Sequence, residues 1–137
     1  MYLLDTVVLS ELRKRQPDPA VISWFGSKAA GALYLSTITI GEIERGIDGL
    51  RERNPIFAEA LESWLGQLLD SYADRILPVN VAIARRWGRL TARIGHVGTD
   101  LLIAATALEH GFAVVTRNVR HFAPTGVAVE NPFTTPA

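Results

Sequence analysis

Five short apolar runs, at residues 1–4, 33–36, 75–79, 112–116 and 127–129, are separated along this chain mostly by segments of helical periodicity. That alternation constrains the fold more than any other feature. Strands separated by single or paired helices pair in parallel, and the helices cover both faces of the resulting sheet. The expected architecture is therefore α/β, a three-layer α/β/α domain around a central, mostly parallel sheet. At 137 residues the chain has the length of one domain, and 1–137 is read as a single unit.

The helical segments are defined by spacing. Val8, Leu9 and Leu12 lead up to the basic cluster Arg13, Lys14 and Arg15. Val21, Trp24 and Phe25 predict a helix over 20–27, after the breaks at Pro17 and Pro19. Ile43, Ile47 and Leu50 predict a helix from Thr39 that ends before Pro55. Leu61, Trp64, Leu65, Leu68, Leu69 and Tyr72 form one apolar face, and Ile83, Trp87, Leu90 and Ile94 another. Residues 100–110 read as a helix capped by Gly111, and 117–126 as a loop. The run around Pro78 reads as a short edge strand, where proline is tolerated.

Composition removes several function classes. Hydrophobic residues make up 48% of the chain, too many for extended disorder. Fourteen basic residues balance fourteen acidic ones, so nucleic-acid binding needs a local patch and not a global field. The absence of cysteine excludes disulfides, thiolate metal sites and cysteine nucleophiles. No apolar run approaches the roughly 20 residues that span a bilayer. The first residues place an acid ahead of the basic cluster, the reverse of a secretory leader, so a cytoplasmic protein without membrane contact is expected.

In a parallel sheet, ligands sit beyond the carboxyl ends of the strands. Asp5 ends the first strand, Glu42 lies early in the helix after the second, and Asp100 opens the helix leading to the fourth. Each has a local explanation. Asp5 can cap the next helix, Thr39 and Glu42 have capping-box spacing, and Thr99-Asp100 can cap and favour a helix dipole. Gathered at one sheet edge, however, three carboxylates repel one another unless a cation joins them. A hard divalent metal, Mg²⁺ or Mn²⁺, takes oxygen ligands of this kind. His96, His110 and His121 lack zinc-site spacing.

Such a metal serves phosphodiester chemistry by polarising phosphate and activating a water, which points to a nuclease or phosphatase. A second aspartate two residues after the first, as in haloacid-dehalogenase phosphatases, is replaced by Val7. There is no Walker A or dinucleotide fingerprint either.

The blocks LLDTVVLSELRK, STITIGEIERGI, GTDLLIAATALEHG and VVTRNVRHF, closed by ENP, cover nearly the whole chain in order. With these blocks the sequence resembles the PIN-domain ribonucleases of the VapC/FitB type, toxins of bacterial toxin–antitoxin pairs. The resemblance implies a metal-dependent endoribonuclease with Asp5, Glu42 and Asp100 as catalytic, metal-binding acids. It implies also a homodimer held inactive by a cognate antitoxin whose tail lies over the acidic groove. Two positions depart from the family pattern. Val7 replaces the asparagine of the usual first block, and His121 stands where a fourth acid is usual. His121 is open to three readings: a neutral ligand, a proton donor to the leaving oxygen, or a solvent-facing loop residue. Asn118 and Thr6 join it as accessory candidates.

For RNA contact, Arg117 and Arg120 lie beside the expected site, and guanidinium binds phosphate bidentately. Arg85, Arg86, Arg89 and Arg93 form a flank of one helix that either contacts RNA or is simply solvated. Trp24, Trp64 and Trp87 fall on apolar faces, which makes them core or interface residues. A second function class is a catalytically impaired PIN-like module that binds an antitoxin and its operator DNA.

Overall fold

A computed structural model describes residues 1–133. Its elements run β1 (Tyr2–Leu4), α1 (Thr6–Arg13), α2 (Pro19–Gly26), β2 (Leu33–Ser36), α3 (Thr37–Leu50), α4 (Pro55–Ser71), β3 (Ile76–Leu77), α5 (Val81–Ile94), α6 (Thr99–His110), β4 (Ala113–Val115), α7 (Val119–Phe122) and β5 (Val129–Glu130). The sheet has the order β3-β2-β1-β4-β5 and every pairing is parallel. β1 is thus the central strand and the run before Pro78 an edge, as the pattern predicts.

Each strand distributes its side chains alternately to two cores. Leu4, Leu35 and Val115 join α1 to α4 on one face, with Val8, Leu9, Ile43, Ile47 and Leu65. Leu3 and Val114 join the other, with Ile103, Ala104, Ala107 and Phe122, and with Leu90 of α5 packed against them. α6 is buried along most of its length, and its alanines let it lie close against the sheet. Its interior hydroxyl, Thr106, is satisfied by the Leu102 carbonyl at 2.8 Å.

Three expectations change. The segment 117–126 is largely helical and not a loop: α7 is followed by a short 3-10 turn at Ala123–Thr125. The last strand lies at Val129–Glu130, while Val127 is buried ahead of it in the second core. α3 starts at Thr37 with Ser36 as its N-cap, because the Ser36 hydroxyl accepts from the Ile38 amide at 3.0 Å. Thr39 therefore lies inside the helix, fully buried, and the capping box with Glu42 does not form. The end of the proline-containing tail, 134–137, lies outside the described residues.

Candidate active site

The carboxyl edge of the sheet collects the three acids from three elements. Asp5 follows central β1, anchored by its amide on the Val115 carbonyl at 3.0 Å. It is indeed a helix cap: its Oδ1 accepts from the Thr6 amide at 2.9 Å. Its Oδ2 accepts from the Thr116 hydroxyl at 2.7 Å, just past β4. Burial pushes the Asp5 carboxyl above the ordinary carboxylate range. The Thr116 hydroxyl and the Thr6 amide oppose that shift, while the charges of Glu42 and Asp100 reinforce it.

Glu42 is held from both sides. Its Oε1 accepts from the Thr6 hydroxyl at 2.8 Å and its Oε2 from the Thr99 hydroxyl at 3.1 Å. Asp100 sits in the first turn of α6, whose N-cap is Gly98 and not Thr99. The imidazole Nδ1 of His121 lies 3.0 Å from Asp100 Oδ2, so His121 faces the acids from α7. The backbone amide of Asn118 donates to the Thr116 hydroxyl at 2.9 Å, and the His121 amide to the Asn118 carbonyl at 3.0 Å. The polar groups thus form a ring, in which threonine hydroxyls and one imidazole separate three like charges.

This donor set suits a hard divalent cation in kind, being all oxygen, negative and charge-stressed at its buried member. Among the described residues, however, no three His, Asp or Glu side chains converge into a ready-made ligand set. Thr99, which the sequence marks only as a helix cap, and Thr116 hold two of the acids. The available signal was the presence of hydroxyl residues beside Asp100 and at the end of the fourth strand.

The other candidates divide. Arg117 is half-buried, stacks 4.8 Å above the Phe133 ring and has a buried Nε without a partner among the described residues. Arg120 is exposed on α7. On α5, Arg86 pairs with Glu109, whereas Arg85, Arg89 and Arg93 are exposed. Trp24 packs edge-on against Tyr2 and donates to Glu130, and Trp64 lies under the Arg13 guanidinium. Trp87 turns inward with its indole nitrogen buried. Beside Thr6 and Glu42 a cleft of about 270 Å³ opens between α1, α3 and α4, with Arg13, Ile47, Phe57 and Trp64 in its walls.

A parallel five-stranded sheet between helical layers, with carboxylates from a central strand end and two helix starts at one edge, defines the PIN-like class of α/β/α domain. The PIN domain family model matches residues 2–126. The chain belongs to the PIN-domain family, within its VapC/FitB group. It is 38% identical to the VapC ribonuclease Y4jK of Sinorhizobium fredii, over 97% of this chain and 98% of that protein. It is 34% identical to the toxin FitB of Neisseria gonorrhoeae, over 97% of this chain and 99% of FitB. The crystal structure of FitAcB from Neisseria gonorrhoeae superposes with a TM-score of 0.86 at 35% identity, covering 98% of this chain and all of that one. No helix of the described residues is long and apolar enough to cross a membrane.

Proposed function

We propose that this chain is a divalent-metal-dependent endoribonuclease and the toxin of a toxin–antitoxin pair, acting in the cytoplasm. The observation that carries the reading is Asp5: a carboxylate buried at the end of the central strand, facing two further acids without a cationic side chain to match it among the described residues. A structural role does not require such an arrangement, since clustered like charges oppose folding. The names of the relatives, a VapC ribonuclease and the toxin FitB, support the same reading.

Asp5, Glu42 and Asp100 are the residues that would hold Mg²⁺ or Mn²⁺. When bound, such an ion polarises the phosphate and lowers the pKa of an attacking water. Thr116 and Thr6 fix the Asp5 carboxylate, and Thr6 and Thr99 fix Glu42. Arg120, exposed on α7 next to His121, is the better candidate of the two arginines for an RNA phosphate, because Arg117 is committed to Phe133. Asn118 starts α7 without a side-chain capping bond, which leaves its side-chain carboxamide for the site.

The partner is a cognate antitoxin, in keeping with solved relatives such as FitAB bound to a DNA fragment. We place the antitoxin segment over the cleft between α1, α3 and α4, because that apolar trough opens directly onto Thr6 and Glu42. A homodimer of the toxin belongs to the same reading, and sedimentation of the isolated chain measures it. The decisive experiment is sequencing of RNA ends after expression without the antitoxin, with new ends expected for the wild type only. One observation favours the second reading, a binding module that controls operator DNA with its antitoxin: the acids do not converge into a ligand set. Thermal stabilisation by Mg²⁺ or Mn²⁺ supports the nuclease, and its absence the module.

A further inference from the structure

The charges that cancel over the whole chain do not cancel locally. Between Asp74 and Asp100 there are five arginines and no acid, and four of the five lie on α5. Two of the five are already engaged. Arg75 donates to the carbonyls of Ala30, Leu33 and Ser71 and stacks on Tyr72. Arg86 pairs with Glu109.

The remaining three, Arg85, Arg89 and Arg93, are exposed and have no ion pair or hydrogen bond among the described residues. Their spacing of i, i+4 and i+8 sets them in one row along the helix, about 6 Å apart in rise. The row runs along a flank of the helix, off the apolar face of Ile83, Trp87, Leu90 and Ile94. Three like charges in a line destabilise an isolated helix slightly, and no acid among the described residues pairs with them.

The row also has a direction. Arg86, early in α5, pairs with Glu109, late in α6, so the two helices run antiparallel. Only residues 95–98 separate the end of α5 from the start of α6, where Thr99 contacts Glu42 and Asp100 meets His121. Arg93 is therefore the end of the row nearest the acids, and Arg85 the farthest.

We infer that Arg93, Arg89 and Arg85 form a track for the phosphate backbone of single-stranded RNA, leading away from the acid site along the exposed face of α5. The inference rests on the ribonuclease reading and adds to it the path of the substrate. A ladder of guanidinium groups binds a phosphate backbone by charge. It therefore contributes affinity and salt dependence without sequence preference.

The test uses the full chain freed of antitoxin, carrying Asp5→Asn so that RNA is not consumed, and a short fluorescein-labelled single-stranded RNA of mixed sequence. Anisotropy titrations over a range of salt give the slope of log affinity against log salt. Each phosphate neutralised on a single strand contributes about 0.7 to that slope. Combining Arg85→Gln, Arg89→Gln and Arg93→Gln is expected to reduce it by about 2, with each single variant reducing it by about a third as much. Glutamine keeps the helix propensity, and a circular dichroism melt checks that the fold is retained. Arg45→Gln, exposed on α3 in the helical layer that packs on the other face of the sheet, leaves the slope unchanged.

An unaltered slope in the triple variant overturns the track, including the case where that variant instead loses antitoxin binding, which makes α5 a protein interface. The two readings fail separately. Wild-type cleavage with an unaltered slope removes the track alone, whereas a wild type that generates no RNA ends removes the nuclease.

Discussion

The two ends of α1 each carry a buried acid, and the pair shows how the same burial serves opposite purposes. Asp5 and Glu11 are both 7% exposed. Glu11 has a matched environment: the Lys14 ammonium lies at 2.8 Å, and the Asp18 amide donates to its other oxygen at 2.8 Å. Those bonds hold its carboxyl below the ordinary range. Asp5 has one amide, one hydroxyl and two acids nearby, and no cation among the described residues, so burial prevails and its carboxyl is pushed up. Glu11 secures the link from α1 to α2, whereas Asp5, on the function proposed above, holds an uncompensated charge that a bound cation would offset.

The largest effect expected to test this contrast is at Asp5. Asp5→Asn lowers RNA cleavage by at least ~100-fold, as removal of a metal-holding group should. The sign of its stability change follows from the raised carboxyl. Strain is absent below the unfolded-state value and develops as pH rises through the folded-state one. The metal-free variant is therefore as stable as the wild type in acid and equal or more stable at neutral pH. Full cleavage by folded Asp5→Asn protein removes the site assignment, and a loss of stability at neutral pH reduces Asp5 to a cap.

Next in size, Glu42→Gln and Asp100→Asn each abolish the rise in melting temperature that saturating Mg²⁺ or Mn²⁺ gives the wild type. The metal-free melting point stays the same or rises, since either change removes one of the repelling charges. Calorimetric melts with and without metal check both statements; a retained metal response would place the cation elsewhere.

At Glu11 the expectation is reversed. Glu11→Gln leaves metal binding intact and costs about 1–3 kcal/mol at neutral pH, the worth of hydrogen bonds to a charged group. Because the folded-state carboxyl lies low, that stabilisation is complete above the unfolded-state value and is lost as pH falls through the folded-state one. Denaturant titrations of both proteins at neutral and acid pH should therefore converge toward acid. Parallel curves would show that the charge of Glu11 is not what matters.

The smallest effect is at His121, whose side chain is more than half exposed and whose imidazole reaches Asp100. Imidazole suits Mn²⁺ better than Mg²⁺, so His121→Ala should lower Mn²⁺-supported cleavage several-fold and His121→Asp should tighten Mg²⁺ binding. Titration calorimetry with both ions measures this. Wild-type values in both variants leave His121 outside the site.

The layered fold was legible because strands and helices impose different periods, and Leu3 and Leu4 or Val114 and Val115 serve opposite cores. α7 was not, since four residues are too few to display a helical period. The start of α3 was misplaced because Ser36 closes an apolar run and caps the helix at once. The three acids stood out through their place at strand and helix ends. Of the hydroxyls that hold them, Thr6 stood out beside Asp5, but two did not: Thr99 is 57 residues from Glu42, and Thr116 is 111 from Asp5, separations that leave no local pattern.

The sheet ends on both sides in strands of two residues, Ile76–Leu77 and Val129–Glu130, and proline follows each within two positions. An unpaired strand edge is a template on which other chains polymerise, and its danger grows with its length. These margins expose too few amides and carbonyls to seed a cross-strand stack, and the prolines remove donors where one would extend. A molecule stripped of its covering partner should thus stay dispersed and not nucleate fibrils.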